Sequence, residues 1–255
     1  ELSNLTNYQV MLTTHSPALI RLFQTGSVRF VEQENGSAGV SVFCESVMSK
    51  IIKTLGLLPE IGKVVICVEG NNDEKFLLNI NNAITELRDI VDLRAKIDSG
   101  VLAIIPMYGA NLKDWINRYA LKNTNAIEFH LYDRDDDQKY KKDIERVRNR
   151  MDGSSGMLTK KREIENYISV DKINSEFNIH IEATNEEWND IDVPNQIMGR
   201  RKDLKESDIK SIICGKLSKT TTKEELVFLN AWDEVRSWFD RINELVAKAS
   251  ANINA

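Results

Sequence analysis

The stretch from Lys63 to Phe76, Lys-Val-Val-Ile-Cys-Val-Glu-Gly-Asn-Asn-Asp-Glu-Lys-Phe, leaves a folding chain few choices. A short run of β-branched residues stops at an acid and a glycine, and a helical pattern starts at once. Such a run reads as a strand buried on both faces, as in a parallel sheet, turning tightly into a helix. Glu69 then stands at the carboxyl tip of a strand, where open α/β sheets place their ligands. Ala126 to Tyr132 reads as another strand, and it ends in Asp133-Arg134-Asp135-Asp136-Asp137. If the two strands are neighbours, about 4.8 Å apart, their acids meet, and a divalent cation is what relieves such a meeting.

The rest of the chain supports an α/β reading. Beyond a break at Pro59 and Gly62, strands are expected at Val64–Val68, Val101–Ile105 and Ala126–Tyr132. Helices are expected at 74–93, 111–119 and 138–151. This alternation argues for a parallel sheet with helices packed on it. Residues 157–167 return towards the sheet, 185–194 read as a loop or insert, and 222–248 as one long amphipathic helix. Before the break, Val10 to Ile20 reads as strand, turn and helix, with Ser16 as cap and Pro17 in the first turn. A hairpin is expected around Glu34-Asn35-Gly36-Ser37, and a helix over 46–57.

Composition narrows the classes. A net charge of −5 over 255 residues offers no global basic field of the kind a bulk nucleic-acid binder shows. The three cysteines, Cys44, Cys67 and Cys214, are far apart and form no zinc spacing, which fits a reducing cytoplasm. No apolar run approaches the roughly 20 residues of a membrane span. The chain opens without a methionine, as a segment of a longer protein would.

Glu69-Gly70 with Asp73, Gly109 after the next strand, and Asp133-x-Asp135 resemble the Toprim signature of topoisomerases, primases and several nucleases. Asp73, four residues after Glu69, and Arg162-Glu163-Ile164-Glu165-Asn166-Tyr167 resemble in particular the overcoming lysogenization defect (OLD) family of endonucleases. In that family an ABC-type ATPase domain precedes the Toprim domain, and Thr13-Thr14-His15-Ser16-Pro17 resembles the ATPase's switch-histidine segment.

The resemblance implies a Toprim fold, a Rossmann-like parallel sheet flanked by helices, over residues 61–220. The end of an ABC-type ATPase domain would occupy 1–60 and a helical extension 221–255. It implies a metal-dependent DNA endonuclease that hydrolyses phosphodiesters with two Mg2+ or Mn2+ ions. Glu69, Asp73, Asp133, Asp135 and Glu165 would be the ligands, with Glu163 and Asp136 as competitors for the last two places. Glu69 and Asp133 would be catalytic. So would a late lysine, placed at Lys216 on spacing, with Lys219 close behind.

His15 would sense the terminal phosphate of ATP bound by an ATPase domain whose upstream part, with its phosphate loop, is not in this sequence. Lys160, Lys161 and Arg162 would meet DNA phosphates. Further implications are anti-phage defence, a homodimer or larger assembly, and an accessory protein or nucleic acid as an additional partner. Competing readings are a topoisomerase- or primase-like module, an RNA-directed nuclease, and a non-catalytic interaction module. None of the tyrosines has the context of a topoisomerase nucleophile.

Overall fold

A computed structural model describes residues 11–13, 29–34, 37–42, 64–108, 110–118, 121 and 126–251. The chain divides into two compact units, Glu1–Glu60 and Ile61–Ala255. In the first, β1 (Arg29–Glu34) pairs antiparallel with β2 (Ser37–Val42), Glu34 opposite Ser37, as the Asn-Gly step between them favours. The segment around His15 and the helix expected over 46–57 lie outside the described residues, as does Gly109.

The second unit is an α/β layer structure. Its sheet has the order β4-β3-β5-β6, built from β3 (Val64–Val68), β4 (Leu102–Pro106), β5 (Ile127–Tyr132) and β6 (Ser155–Leu158), and every neighbouring pair is parallel. All of β3 is fully buried, as its unbroken apolar run requires. Val64, Ile66 and Val68 join Phe129 and Leu131 in the main core. Against that face pack α1 (Asn71–Ala83), through Phe76, Leu77 and Ile80, and the last helix, α11 (Trp232–Ala251), through Val235, Trp238 and Ile242. The alternate residues Val65, Cys67, Glu128, His130 and Tyr132 face the other way. On that side lie α4 (Ala110–Arg118) and α5 (Lys141–Arg148).

Several elements differ from the sequence expectation. The helix expected over 74–93 is three pieces: α1, α2 (Thr85–Ile90) and α3 (Leu93–Asp98). Ile84 is extended at the first break. Buried Asn81 braces the second, donating to the Val91 carbonyl at 2.9 Å and accepting from Leu93 N–H at 3.0 Å.

Residues 185–194 are not a loop. After α6 (Val170–Phe177) they form α7 (Asn185–Trp188) and start α8 (Val193–Arg200). Thr184 and Glu187 make a capping box, and Asp192 caps α8. After α9 (Glu206–Gly215), the terminal helix is also divided, into α10 (Lys223–Phe228) and α11, because Asn230 turns left-handed at φ 53°. The segment expected as an extension is thus part of the main core of the second unit. Among the described residues no helix is long and apolar enough to cross a membrane.

Candidate metal centre

The parallel pairing of β3 with β5 decides where the acids go. Val68 is in register with Leu131, so Glu69 and Asp133 leave the same end of adjacent strands. Gly70 is extended, and its N–H donates to Asp73 Oδ2 at 2.8 Å, which folds Asp73 back over the strand tip from the first turn of α1. The Glu69 carbonyl accepts from Tyr108 N–H at 2.8 Å and so ties this turn to the end of β4. Asp135 takes a left-handed conformation, φ 48°, and its N–H donates to the Arg162 carbonyl at 2.9 Å.

Glu163 and Glu165 arrive on a 3-10 turn, Ile164–Tyr167. The buried Asn166 side chain locks this turn. It accepts from Glu163 N–H at 3.0 Å and donates to the Ile191 carbonyl at 2.9 Å. The segment between α7 and α8 therefore holds the acidic turn in place.

The result is a cleft of about 550 Å3 whose lining includes eight carboxylates against three cations, Lys139, Arg162 and Lys210. Its inner part is the tightest. Single oxygens of Asp133, Glu163 and Glu165, all buried, lie within 4.8 Å of one another. Glu163 is spoken for: Oε1 accepts from Val193 N–H at 3.0 Å, and Oε2 lies 3.5 Å from Lys210 Nζ. Asp133 Oδ1 and Glu165 Oε2 are buried and accept no hydrogen bond from the described residues. Buried carboxylate oxygens are rarely left that way.

The electrostatics follow from this crowding. Burial, and then the charges of Asp73, Glu165 and Glu69, push the Asp133 carboxyl well above the usual range. Burial lifts Glu165 to about 8; Lys210 opposes this, while Glu163 and Asp73 add to it. Burial lifts Asp73 to about 6 despite the Gly70 N–H, with help from Glu69. Burial works against the Lys210 ammonium, but Glu165, Glu163 and Asp133 hold it above the ordinary lysine range. Glu165, at about 8, therefore holds its proton near neutrality unless a cation replaces it.

Of the residues singled out in the sequence, Glu69, Asp73, Asp133, Asp135, Glu165 and Arg162 all line the cleft, and Glu163 joins them. Asp136 does not. It is exposed and pairs with Arg162. Arg162 also sits 3.3 Å from Asp192, so it serves as a strut between acids.

Four lysines are placed otherwise than expected. Lys216 is exposed and pairs with Glu176 at 2.5 Å, away from the cleft lining. Lys219 is exposed and also outside the lining. Lys161 is 3% exposed, and its ammonium donates to the Leu229 carbonyl at 3.1 Å and to Asn189 Oδ1. Burial lowers it to about 8. It is a structural tie, and a phosphate could not reach it. Lys160 is exposed outside the lining, its backbone N–H held by Glu234.

The lysines that do enter the cleft are Lys210 and Lys139. Neither stands out in sequence: Lys210 lies four residues after Glu206 on α9, 3.3 Å from it, and reads as an ordinary helix-surface pair.

A second group, Cys67, Glu128 and His130, also brings its ligand atoms within 4.8 Å. Its chemistry differs. His130 Nε2 is 2.6 Å from Glu128 and Nδ1 is 2.6 Å from the Tyr132 hydroxyl, while Arg150 lies 2.8 Å from Glu128. Both ring nitrogens are engaged, and the guanidinium supplies the positive charge. These groups form a buried polar network inside the sheet.

No family model, curated protein or solved structure matches this chain. The donors of the cleft are carboxylate oxygens, without the imidazole that zinc and copper favour, and that set suits a hard divalent ion such as Mg2+ or Mn2+.

Proposed function

We propose that this chain is a divalent-metal-dependent phosphodiester hydrolase, an endonuclease of the OLD type acting on DNA. One observation carries the proposal: at the carboxyl end of a parallel sheet, Asp133 Oδ1 and Glu165 Oε2 are buried and accept no hydrogen bond from the described residues. Asp133 and Glu165, with Asp73 and Glu163 beside them, would hold the ion. Bound there, it would polarise a phosphoryl oxygen and lower the pKa of a water.

The chain's own groups divide the remaining work. Glu69 faces the open part of the cleft and accepts from the Tyr140 hydroxyl at 3.1 Å, so its carboxylate is oriented to take a proton from an attacking water. Lys210, half-buried among the acids, supplies fixed positive charge towards oxygens that gain negative charge as the phosphodiester opens. The buried network through Asn166 keeps the acids from spreading apart.

Control by ATP through an upstream domain, a homodimeric or larger assembly and a place in anti-phage defence belong to the same proposal and rest on the resemblance. A plasmid-nicking assay with Mg2+, Mn2+ or EDTA tests the activity. The proposal expects metal-dependent nicking by the wild type and none by Asp133→Asn. Equal nicking by that variant, or nicking undiminished in EDTA, would overturn it.

A further inference from the structure

The acidic cleft has two unlike halves. The inner half, Asp133 with Glu163 and Glu165, contains the buried oxygens that accept no hydrogen bond from the described residues. In the outer half Glu69 and Asp135 already share a cation. Lys139 Nζ lies 3.1 Å from Glu69 Oε1 and 2.7 Å from Asp135 Oδ2.

The chain is shaped to deliver that ammonium. Gln138 turns left-handed at φ 48°, Lys139 N–H donates to Asp137 Oδ1 at 3.1 Å, and the ammonium rests 4.7 Å from the centre of the Tyr140 ring. Tyr140 then hydrogen-bonds the same Glu69 oxygen that Lys139 contacts. Two carboxylates and an aromatic face thus grip one ammonium, at the spot where a metal bridging Glu69 and Asp135 would have to sit.

We infer that Lys139 takes the place of a second divalent cation, so that the chain binds one ion, in the inner half, and uses a fixed ammonium as its other positive centre. The inference rests on reading the cleft as a metal centre and changes its stoichiometry. An ammonium has three donors. Two are used by Glu69 and Asp135, and the third is left to meet an oxygen of a phosphodiester. A second ion in the outer half would have to displace a residue held at three points, and would meet its charge at contact distance if it did not.

The test is a count of ions bound by the whole 255-residue chain. Mn2+ is titrated and followed by calorimetry and by electron paramagnetic resonance of the free ion, with circular dichroism to check folding. The wild type is expected to bind one Mn2+ tightly. Lys139→Met should bind two, as should Lys139→Gln, the second neutral replacement. Lys139→Arg, which keeps the charge, should stay at one.

Two tight ions in the wild type would overturn the inference and leave the metal centre standing. A single ion in both neutral variants would do the same, as would two ions in Lys139→Arg. No bound ion in any of them would remove the metal centre itself and this inference with it.

Discussion

Asp133 and Glu165 meet in the cleft with one oxygen apiece, Oδ1 and Oε2, that is buried and accepts no hydrogen bond from the described residues. Two groups that burial and mutual repulsion both penalise have been placed side by side. Such an arrangement costs stability by itself and gains it from a cation.

The cost and the gain can be separated by mutation. Glu165→Gln keeps the shape and removes a carboxyl that folding forces to stay protonated, so it should raise the melting temperature in EDTA, by an amount corresponding to about 1 kcal/mol. The same variant should lose the stabilisation that saturating Mn2+ gives the wild type, and lose nicking by about 100-fold or more. Thermal melts with and without Mn2+, beside the nicking assay, check all three.

Stability should fall as pH rises, and the metal should abolish that fall. Glu165 is raised from 4.5 to about 8 and Asp73 from 3.8 to about 6 by folding. A carboxyl with a raised folded-state pKa binds its proton more tightly in the native state, so its contribution is present below the unfolded value and is lost as pH rises through the folded one. Without metal, the protein should become less stable between about pH 4.5 and 8. With saturating Mg2+ or Mn2+ the ion displaces those protons, the folded and unfolded states then bind nearly the same number, and the fall over that interval should disappear. Urea melts at several pH values, in EDTA and in metal, measure both slopes.

Three lysines should give three different phenotypes. Lys210→Ala removes the cation beside Glu163 and Glu206 and should depress nicking strongly. Lys216→Ala touches only an exposed pair with Glu176 and should leave nicking unchanged. Lys161→Ala should cost about 1–3 kcal/mol of stability by stranding the Leu229 carbonyl, with DNA binding by the folded variant unaffected. Melts and filter binding in Ca2+ distinguish these outcomes.

The sheet itself offers a packing test. Gly156 pairs with His130 across β5 and β6, and a Cβ there would lie 2.9 Å from His130 Cβ and 3.0 Å from its carbonyl oxygen. Gly156→Ala should therefore destabilise by about 1–3 kcal/mol. Gly199, near the end of α8, has nothing within 4 Å of such a Cβ, and Gly199→Ala should stabilise by about 0.5–1 kcal/mol. Denaturant melts of the two variants give both signs.

The parts of this architecture that could be read in the sequence are those where one residue type has one physical reason to occur. The unbroken apolar run ending at Glu69 announces a buried parallel strand, because only such a strand needs apolar residues on both faces. Parallel neighbours then bring their tips together without further information.

What could not be read depends on partners far along the chain. Asn81 stops a helix by reaching Val91 and Leu93. Lys161 sits in a Lys-Lys-Arg run that looks like surface, and its burial depends on Asn189 and Leu229. Lys210 becomes a site residue only because α9 is packed beside the acidic turn. The capping box at Thr184 and Glu187, by contrast, was legible as a local pattern, and it marks the helix start in the segment expected to be a loop.

The most direct measurement is a crystal of the chain soaked in Mn2+ and examined by anomalous scattering. The account predicts a peak coordinated by Asp133 and Glu165, with Glu163 and Asp73 adjacent. A fully soaked crystal with no peak between those carboxylates, or with Asp133 Oδ1 and Glu165 Oε2 hydrogen-bonded to protein or water in its place, would contradict it.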